Sequence, residues 1–277
     1  MSIIIPTKNS SRTIETCLQS IKQQTYSAIE LIVVDNFSID STLALAKKFT
    51  THVFSQGPER SAQRNFGVEH AQGEYVLIID SDMVLEPQVV EKCVALFVSH
   101  ALIKGIVIPE VSFGQGFRAQ CKQLERSFYV GVDRMEAARC FQKAVYLEMW
   151  WYDEANIGTE DYDLPQRIQH VYGKECIGRI DAYIHHDEWT LSLWRTCHKK
   201  FYYGQRLRAY QTKEANQANF AQQASIGQRY ALFLRSPRKL FARPLVWLGM
   251  LVMKTAEMAS GACGYVRGKR RKVKNIY

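Results

Sequence analysis

The chain has 277 residues, 47% of them hydrophobic and 23% charged. That composition excludes a disordered or fibrous chain and suffices for one large α/β domain, or one domain plus an appendage. The net charge of +9 sits at one end: from Arg229 to Tyr277 twelve Lys/Arg face Glu257 alone, +11, leaving 24 cations and 26 acids, −2, for the rest.

In chain order, Ser2-Ile3-Ile4-Ile5, ended by Pro6, reads as a buried parallel strand. Ile14, Cys17, Leu18 and Ile21 fall at helical spacing behind the cap signals Asn9-Ser10-Ser11. Ile29 to Val34 is a second strand. Ser38, Asp40 and Ser41 cap a helix with Leu43, Leu45, Ala46 and Phe49, and His52 to Phe54 is a weaker third strand. Ser61 to Ala71 reads as a helix stopped at Gly73, and Tyr75 to Ile79 as a fourth strand. Strands alternating with helices imply right-handed crossovers and a doubly wound, mostly parallel sheet. A helix follows Pro87, then a strand at Gly105 to Pro109, a helix at Phe117 to Val130 and a short strand at Arg139 to Phe141. Thr159 caps a helix with Glu160, Asp161, Leu164 and Ile168. Cys176 to Ile184 alternates as a single strand, followed by His185-His186-Asp187-Glu188, and from Thr190 the chain is mostly helical.

Seven Cys, an odd number without CxxC or zinc spacing, point to reduced, buried thiols in a cytoplasmic protein. No signal peptide is expected, because the first strand begins at Ser2.

Three acidic marks stand at element ends. Asp35 closes the second strand, where it can accept a hydrogen bond from a nucleobase or merely form an Asx turn with Ser38. Asp80-Ser81-Asp82 closes the fourth strand and can hold a divalent ion carrying a diphosphate, or be a solvated turn. Glu160-Asp161 opens a helix. Either acid can take a proton from a hydroxyl, and both together can simply favour the helix dipole. An imidazole of His185 or His186 can complete a metal shell begun by Asp82, or lie packed at the surface.

Five stretches carry a resemblance when read in order: Ser-Ile-Ile-Ile-Pro-Thr-Lys-Asn (2–9), Val-Val-Asp-Asn-Phe-Ser-Ile-Asp-Ser-Thr (33–42), Arg-Asn-Phe-Gly (64–67), Gly-Glu-Tyr-Val-Leu-Ile-Ile-Asp-Ser-Asp (73–82) and Gly-Thr-Glu-Asp-Tyr-Asp (158–163). Over roughly residues 2–190 the chain resembles a family 2 glycosyltransferase of the GT-A fold. The resemblance implies a nucleotide-sugar-binding catalytic domain over residues 1–190, and the charge count and helical pattern leave a helical, basic region over 191–277. It implies that Pro6, Thr7, Asn9 and Asp35 bind the nucleotide, with Arg64 close by, and that Asp80 and Ser81 bind the donor. Asp82, Asp80 and His186 would hold Mn²⁺ or Mg²⁺. His186 is chosen over His185 because similar relatives place a His two residues before a Glu, here Glu188. Asp161 matches the general base of an inverting reaction, with Glu160 and Glu188 on the acceptor side. UDP is the nucleotide the resemblance favours. Asn36 departs from the family, many members having Asp there. The absence of a QxxRW motif and of a transmembrane bundle favours transfer of one sugar over processive synthesis. Two other readings stay open: a nucleotide-sugar-binding protein without turnover, and a nucleotidyltransferase, although Ser2 to Ser11 lacks the glycine a phosphate loop needs.

Pro244 to Met253 is the most apolar run, about half the roughly 20 residues a bilayer span needs. Basic residues flank Phe241, Leu245, Trp247, Leu248 and Met250, the pattern of a helix lying in the headgroup layer. Residues 229–277 are therefore expected to meet an anionic membrane surface, peripherally on the cytoplasmic face, with a glycan or lipid-linked saccharide as acceptor. Nucleic acid is not expected, because the tail lacks aromatic interleaving. Lys199 to Arg208 either continues that surface or packs as an amphipathic helix.

Overall fold

The computed structural model describes residues 1–189, 191–211 and 225–274. Thr190, where the helical region was expected to start, and residues 275–277 of the basic tail lie outside them. The elements run β1 (Ser2–Thr7), α1 (Ile14–Lys22), β2 (Glu30–Asp35), α2 (Thr42–Ala46), β3 (Val53–Ser55), α3 (Arg60–His70), β4 (Tyr75–Ile78), β5 (Met83–Leu85), α4 (Val89–Ser99), β6 (Gly105–Val107) and β7 (Glu110–Phe113). They continue with α5 (Phe117–Ser127), β8 (Ala138–Gln142), α6 (Lys143–Glu148), α7 (Glu160–Tyr172), β9 (Ile177–Arg179), β10 (Ile184–Asp187), α8 (Leu193–Gln211), α9 (Ile226–Leu234), α10 (Pro237–Phe241) and α11 (Pro244–Lys274). The chain forms two compact units: 1–110 with 137–154 and 160–187, and 111–136 with 155–159 and 188–277. The boundary expected near residue 190 thus has two earlier excursions. Nothing in composition marks them, because they join the second unit by packing.

The first unit is α/β, built on a seven-stranded sheet of order β3-β2-β1-β4-β8-β6-β9. The strands from β3 to β4 are mutually parallel, while β8 runs antiparallel to both its neighbours and β9 parallel to β6. Alternation makes β1 a wall between two cores. Ile3 and Ile5 join Leu31, Val33 and Leu77 on the face covered by Cys17 and Leu18 of α1 and Val90 and Cys93 of α4. Ile4 joins Ile32, Val34 and Ile78 on the other, under Val68 of α3 and Leu164 and Ile168 of α7. Helix α3 approaches closely because it carries Gly67, whose missing Cβ would run into the Ile4 and Val34 side chains. The single strand expected over Cys176 to Ile184 is instead two, β9 on the main sheet and β10 paired antiparallel with β5. Its alternating pattern is broken at Asp181, which is exposed and bound to Lys92. His185 and His186 accordingly lie on β10, not beyond a strand. The helix expected to carry Phe49 stops at Ala46.

The second unit is mostly helical. Cys121 and Phe128, Phe233, Leu240, and Val246, Met250 and Met253 of α11 form its core. The run Pro244 to Met253 is therefore the start of a 31-residue helix, with Met250 inside the core and not on an outer face. Lys254 and two glutamates are buried beside it, with Lys122 half-buried: Lys254 bonds Glu125 at 2.6 Å and Glu257 at 3.3 Å, and Lys122 bonds the same pair at 2.8 and 3.1 Å. Burial opposes the charge of Glu125, yet the two lysines hold its carboxyl well below the usual range. Helices α8 and α11 meet backbone to backbone, since Cβ atoms at Gly204, Gly264 and Gly268 would overlap the carbonyls of Gly261, Phe201 and Gln205. Among the described residues no helix is long and apolar enough to cross a membrane.

Candidate active site

In a parallel sheet, ligands gather beyond the carboxyl ends of the strands. Here β2, β1 and β4 are neighbours, and their ends bring Asp35, Thr7 and Asp80 to one edge. Thr7 pairs with Asp35 in register, and Ile79 donates to the Ile4 carbonyl just before Asp80. Asp35 is fully buried, its oxygens accepting from the Ser38 amide at 2.7 Å and hydroxyl at 2.5 Å. The Asx turn is thus present, and base recognition would use the remaining lone pairs. Pro6 is buried in β1. Asn9, at φ 49°, is tied to the same loop: its amide donates to Ser38 Oγ at 2.7 Å and its Oδ1 accepts from Ile39 at 3.0 Å. The Asn36 side chain donates to the Pro58 carbonyl at 2.6 Å, a bond an aspartate could not make.

The acids converge on one arginine. Arg64, on α3 and 0% exposed, donates to Asp80 at 2.8 Å and to Asp161 at 2.7 Å, and lies 3.4 Å from Glu160. One turn earlier, Arg60 stands 3.4 Å from Asp80 and 3.5 Å from Glu160. Burial opposes the Arg64 charge, but Asp161 and Asp80 outweigh it and hold the guanidinium above its ordinary pKa. Burial likewise pushes Asp80 upward, and Arg64, Arg60 and Arg139 overcome it, leaving that carboxyl well below the usual range. Glu160 goes the other way: burial, then Asp161, raise it. The two helix-opening acids are therefore unlike. Glu160 has a side chain 3% exposed, whereas Asp161 keeps 23% in contact with solvent. Of the two, Asp161 is the one an external hydroxyl can reach.

Several members of this cluster carry no sequence signal of their own. Arg60, one helical turn from Arg64, lies outside every stretch that carries the resemblance. The Tyr152 ring lies 5.3 Å from the Arg64 carbon, close enough for a cation–π contact. Asn65 accepts from Tyr146 and from the Tyr152 amide, and donates to the Tyr152 carbonyl and Glu154. It thereby fixes the loop under the cluster. Arg139, bound to Glu110 at 2.5 Å, adds a second buried cation beside Arg64.

On the other side of Asp80, Ser81 Oγ donates to Ser10 Oγ at 2.8 Å. His186 Nε2 stands 3.6 Å from Asp82 Oδ1, while His185 turns to Glu86 at 3.2 Å. Glu188 belongs to the second unit, where it accepts from Ser112 and faces Arg126 at 3.6 Å. No cluster of three or more metal-ligating side chains occurs among the described residues. A divalent ion held partly by substrate phosphates needs only one or two carboxylates. The side chains fit such an ion: Asp82 Oδ1 is buried and accepts no hydrogen bond, and Asp82 makes no ion pair with the arginines that hold Asp80 and Asp161. Buried polar atoms without partners are rare and call for an explanation. Thr7 Oγ1 and Arg64 Nε share that condition with Asp82 Oδ1, as groups awaiting a ligand would.

The profile of the family described as Glycosyl transferase family 2 matches residues 2–146. The uncharacterized glycosyltransferase YibD of Escherichia coli strain K12 is 31% identical over 97 residues, which are 33% of this chain and 28% of that protein's length. The match thus spans less than a third of that curated relative. Among solved structures, a mannosyltransferase from Pyrobaculum calidifontis in complex with GDP-Man and Mn²⁺ superposes with TM-score 0.63 at 14% identity, over 96% of this chain and 86% of that one. Residues 1–349 of Staphylococcus aureus TarS in complex with UDP-GlcNAc superpose with TM-score 0.54 at 17% identity, over 97% and 91%. At such identities the superpositions speak to the fold.

Proposed function

Since the chain belongs to glycosyl transferase family 2, we propose that it is an inverting, metal-dependent transferase. It moves one sugar from a nucleoside-diphosphate sugar, with UDP favoured, to an acceptor hydroxyl. The observation that carries this reading is the buried Arg64 fork, which holds Asp80 and Asp161 on either side of one guanidinium. The superposable proteins bound to GDP-Man with Mn²⁺ and to UDP-GlcNAc support the donor class.

In this reading Pro6, Thr7, Asn9 and Asp35 take the nucleotide, while Asp80 and Ser81 take the sugar end of the donor. Asp82 with His186 would hold Mn²⁺ or Mg²⁺, which when bound would supply positive charge against the departing diphosphate. Asp161 receives the acceptor's hydroxyl proton, oriented by its bond to Arg64. As that oxygen bonds to the anomeric carbon, the bond to the diphosphate oxygen breaks on the opposite face, and one displacement inverts the configuration. Glu160, buried between the arginines, positions and does not transfer a proton, and Glu188 plays no part. The acceptor is a glycan carried on a lipid, and the protein works peripherally on the cytoplasmic face of a membrane through its basic tail.

The test is Asp161→Asn. It should lower kcat about 10²- to 10⁴-fold, while a nucleoside diphosphate with Mn²⁺ still raises the melting temperature. A folded Asp161→Asn protein that transfers sugar at near the parent rate sinks the base assignment.

A further inference from the structure

The long C-terminal helix α11 has two apolar faces. At 100° per residue, Val246, Met250 and Met253 lie within about 60° of one another and form the core face. Leu245, Leu248 and Val252 lie within about 60° on a second face, centred about 130° away. That second face is open: the three side chains are 74%, 56% and 58% exposed. Phe241, at the end of α10, is also 70% exposed, its ring 6.1 Å from that of Trp247. A helix apolar on two faces normally has a neighbour on each. Here no described residue covers the outer one.

Charge identifies the neighbour. Arg235, Arg238, Lys239 and Arg243 are all exposed in the segment that leads into this face. The only acid after Arg229 is Glu257, which is 2% exposed and already neutralised by Lys122 and Lys254. The exposed surface of this segment is therefore apolar and cationic, with no compensating negative charge. An acidic protein would match the cations but would leave the leucines in water. A second copy of this chain would bring like charges together. A bilayer carrying anionic headgroups satisfies both requirements, with phosphates at the arginines and acyl chains at the leucines.

We propose that Leu245, Leu248 and Val252 enter the headgroup layer of an anionic bilayer, with Arg235, Arg238 and Arg243 at its phosphates. The proposal rests on the membrane side of the reading above and not on its chemistry. It also corrects the expected lipid face, which loses Met250 to the core.

The experiment uses the full chain and phosphatidylcholine vesicles with or without phosphatidylglycerol. The parent should sediment with the anionic vesicles only, and added salt should release it. Each cation near such a surface multiplies partitioning about fivefold, so Arg235→Gln/Arg238→Gln/Arg243→Gln should weaken it about a hundredfold. Leu245→Ser/Leu248→Ser alters exposed positions and should fold normally while losing sedimentation. Both variants should keep the thermal shift given by a nucleoside diphosphate with Mn²⁺, which separates failure here from failure of the proposed chemistry. Equal binding to neutral vesicles, retained binding by the Leu245→Ser/Leu248→Ser protein, or no vesicle binding would each overturn the proposal. So would a leucine-dependent dimer in sedimentation equilibrium without vesicle affinity.

Discussion

Replacing Arg64 with methionine tests the centre of the site most directly. The side chain has no exposure and makes two charge-assisted hydrogen bonds, 2.8 Å to Asp80 and 2.7 Å to Asp161. Hydrogen bonds to charged groups contribute about 1.5–3 kcal/mol each, so the pair sums to about 3–6 kcal/mol. Breaking a buried ion pair from one side costs about 3–5 kcal/mol, because the partner charge stays behind. The two routes agree on roughly 4 kcal/mol. Arg64→Lys keeps the charge but loses the planar fork, so it should recover only one of the two bonds. Urea denaturation with Asp80→Asn as second arm of a double-mutant cycle reads the coupling directly. Once Asp80 is uncharged, losing Arg64 should cost less by at least 1 kcal/mol. A total cost for Arg64→Met under about 1 kcal/mol, or strict additivity with Asp80→Asn, would refute the claim that this arginine ties the acids together.

Gly67→Ala should destabilise the fold by about 1–3 kcal/mol through overpacking against Ile4 and Val34, measured as a lowered urea midpoint at unchanged slope. Asp82→Asn and His186→Ala should each remove most of the extra melting-temperature rise that Mn²⁺ adds to a nucleoside diphosphate, while Glu188→Gln should leave it alone. Acid should weaken the first unit with a definite sign. The Asp80 carboxyl is depressed in the fold, so its contribution is full above the unfolded value of about 3.9 and is lost as pH falls through the lower folded value. Urea midpoints should accordingly fall below about pH 4, less steeply in Asp80→Asn.

What the chain discloses unaided is its pattern of buried runs. Ile3 to Ile5, Leu31 to Val34 and Val76 to Ile79 are continuous because the sheet is covered on both faces, and that alone announces a parallel α/β core. Direction and pairing are not written locally: Arg139 to Phe141 reads as a strand, but its antiparallel insertion between β4 and β6 depends on neighbours far along the chain. Strand β5 was missed because Met83-Val84-Leu85 follows three polar residues directly and finds its partner a hundred residues later, at His186. At the site the acids were legible, since a carboxylate after a buried strand is conspicuous. Of their cations only Arg64 was, through the Arg-Asn-Phe-Gly stretch, and then without its partners; Arg60 and Arg139 were not. A helix arginine reads as solvated, and only tertiary packing shows that Arg64 is sealed from water while Arg60 stands at its rim. The bounds of the second unit were illegible for a similar reason: Phe117 and Cys121 look like any amphipathic helix until they are seen against Gly249.

The glycine contacts between α8 and α11 make the tail a lever with a fixed fulcrum. At 1.5 Å per residue α11 is about 45 Å long, and its seating at Gly264 and Gly268 relies on bare backbone. One added methyl at Gly264 would meet the Phe201 carbonyl and tilt the rod about a point 20 residues from Pro244 and ten from Lys274, so the apolar start of the helix would travel about twice as far as its basic end.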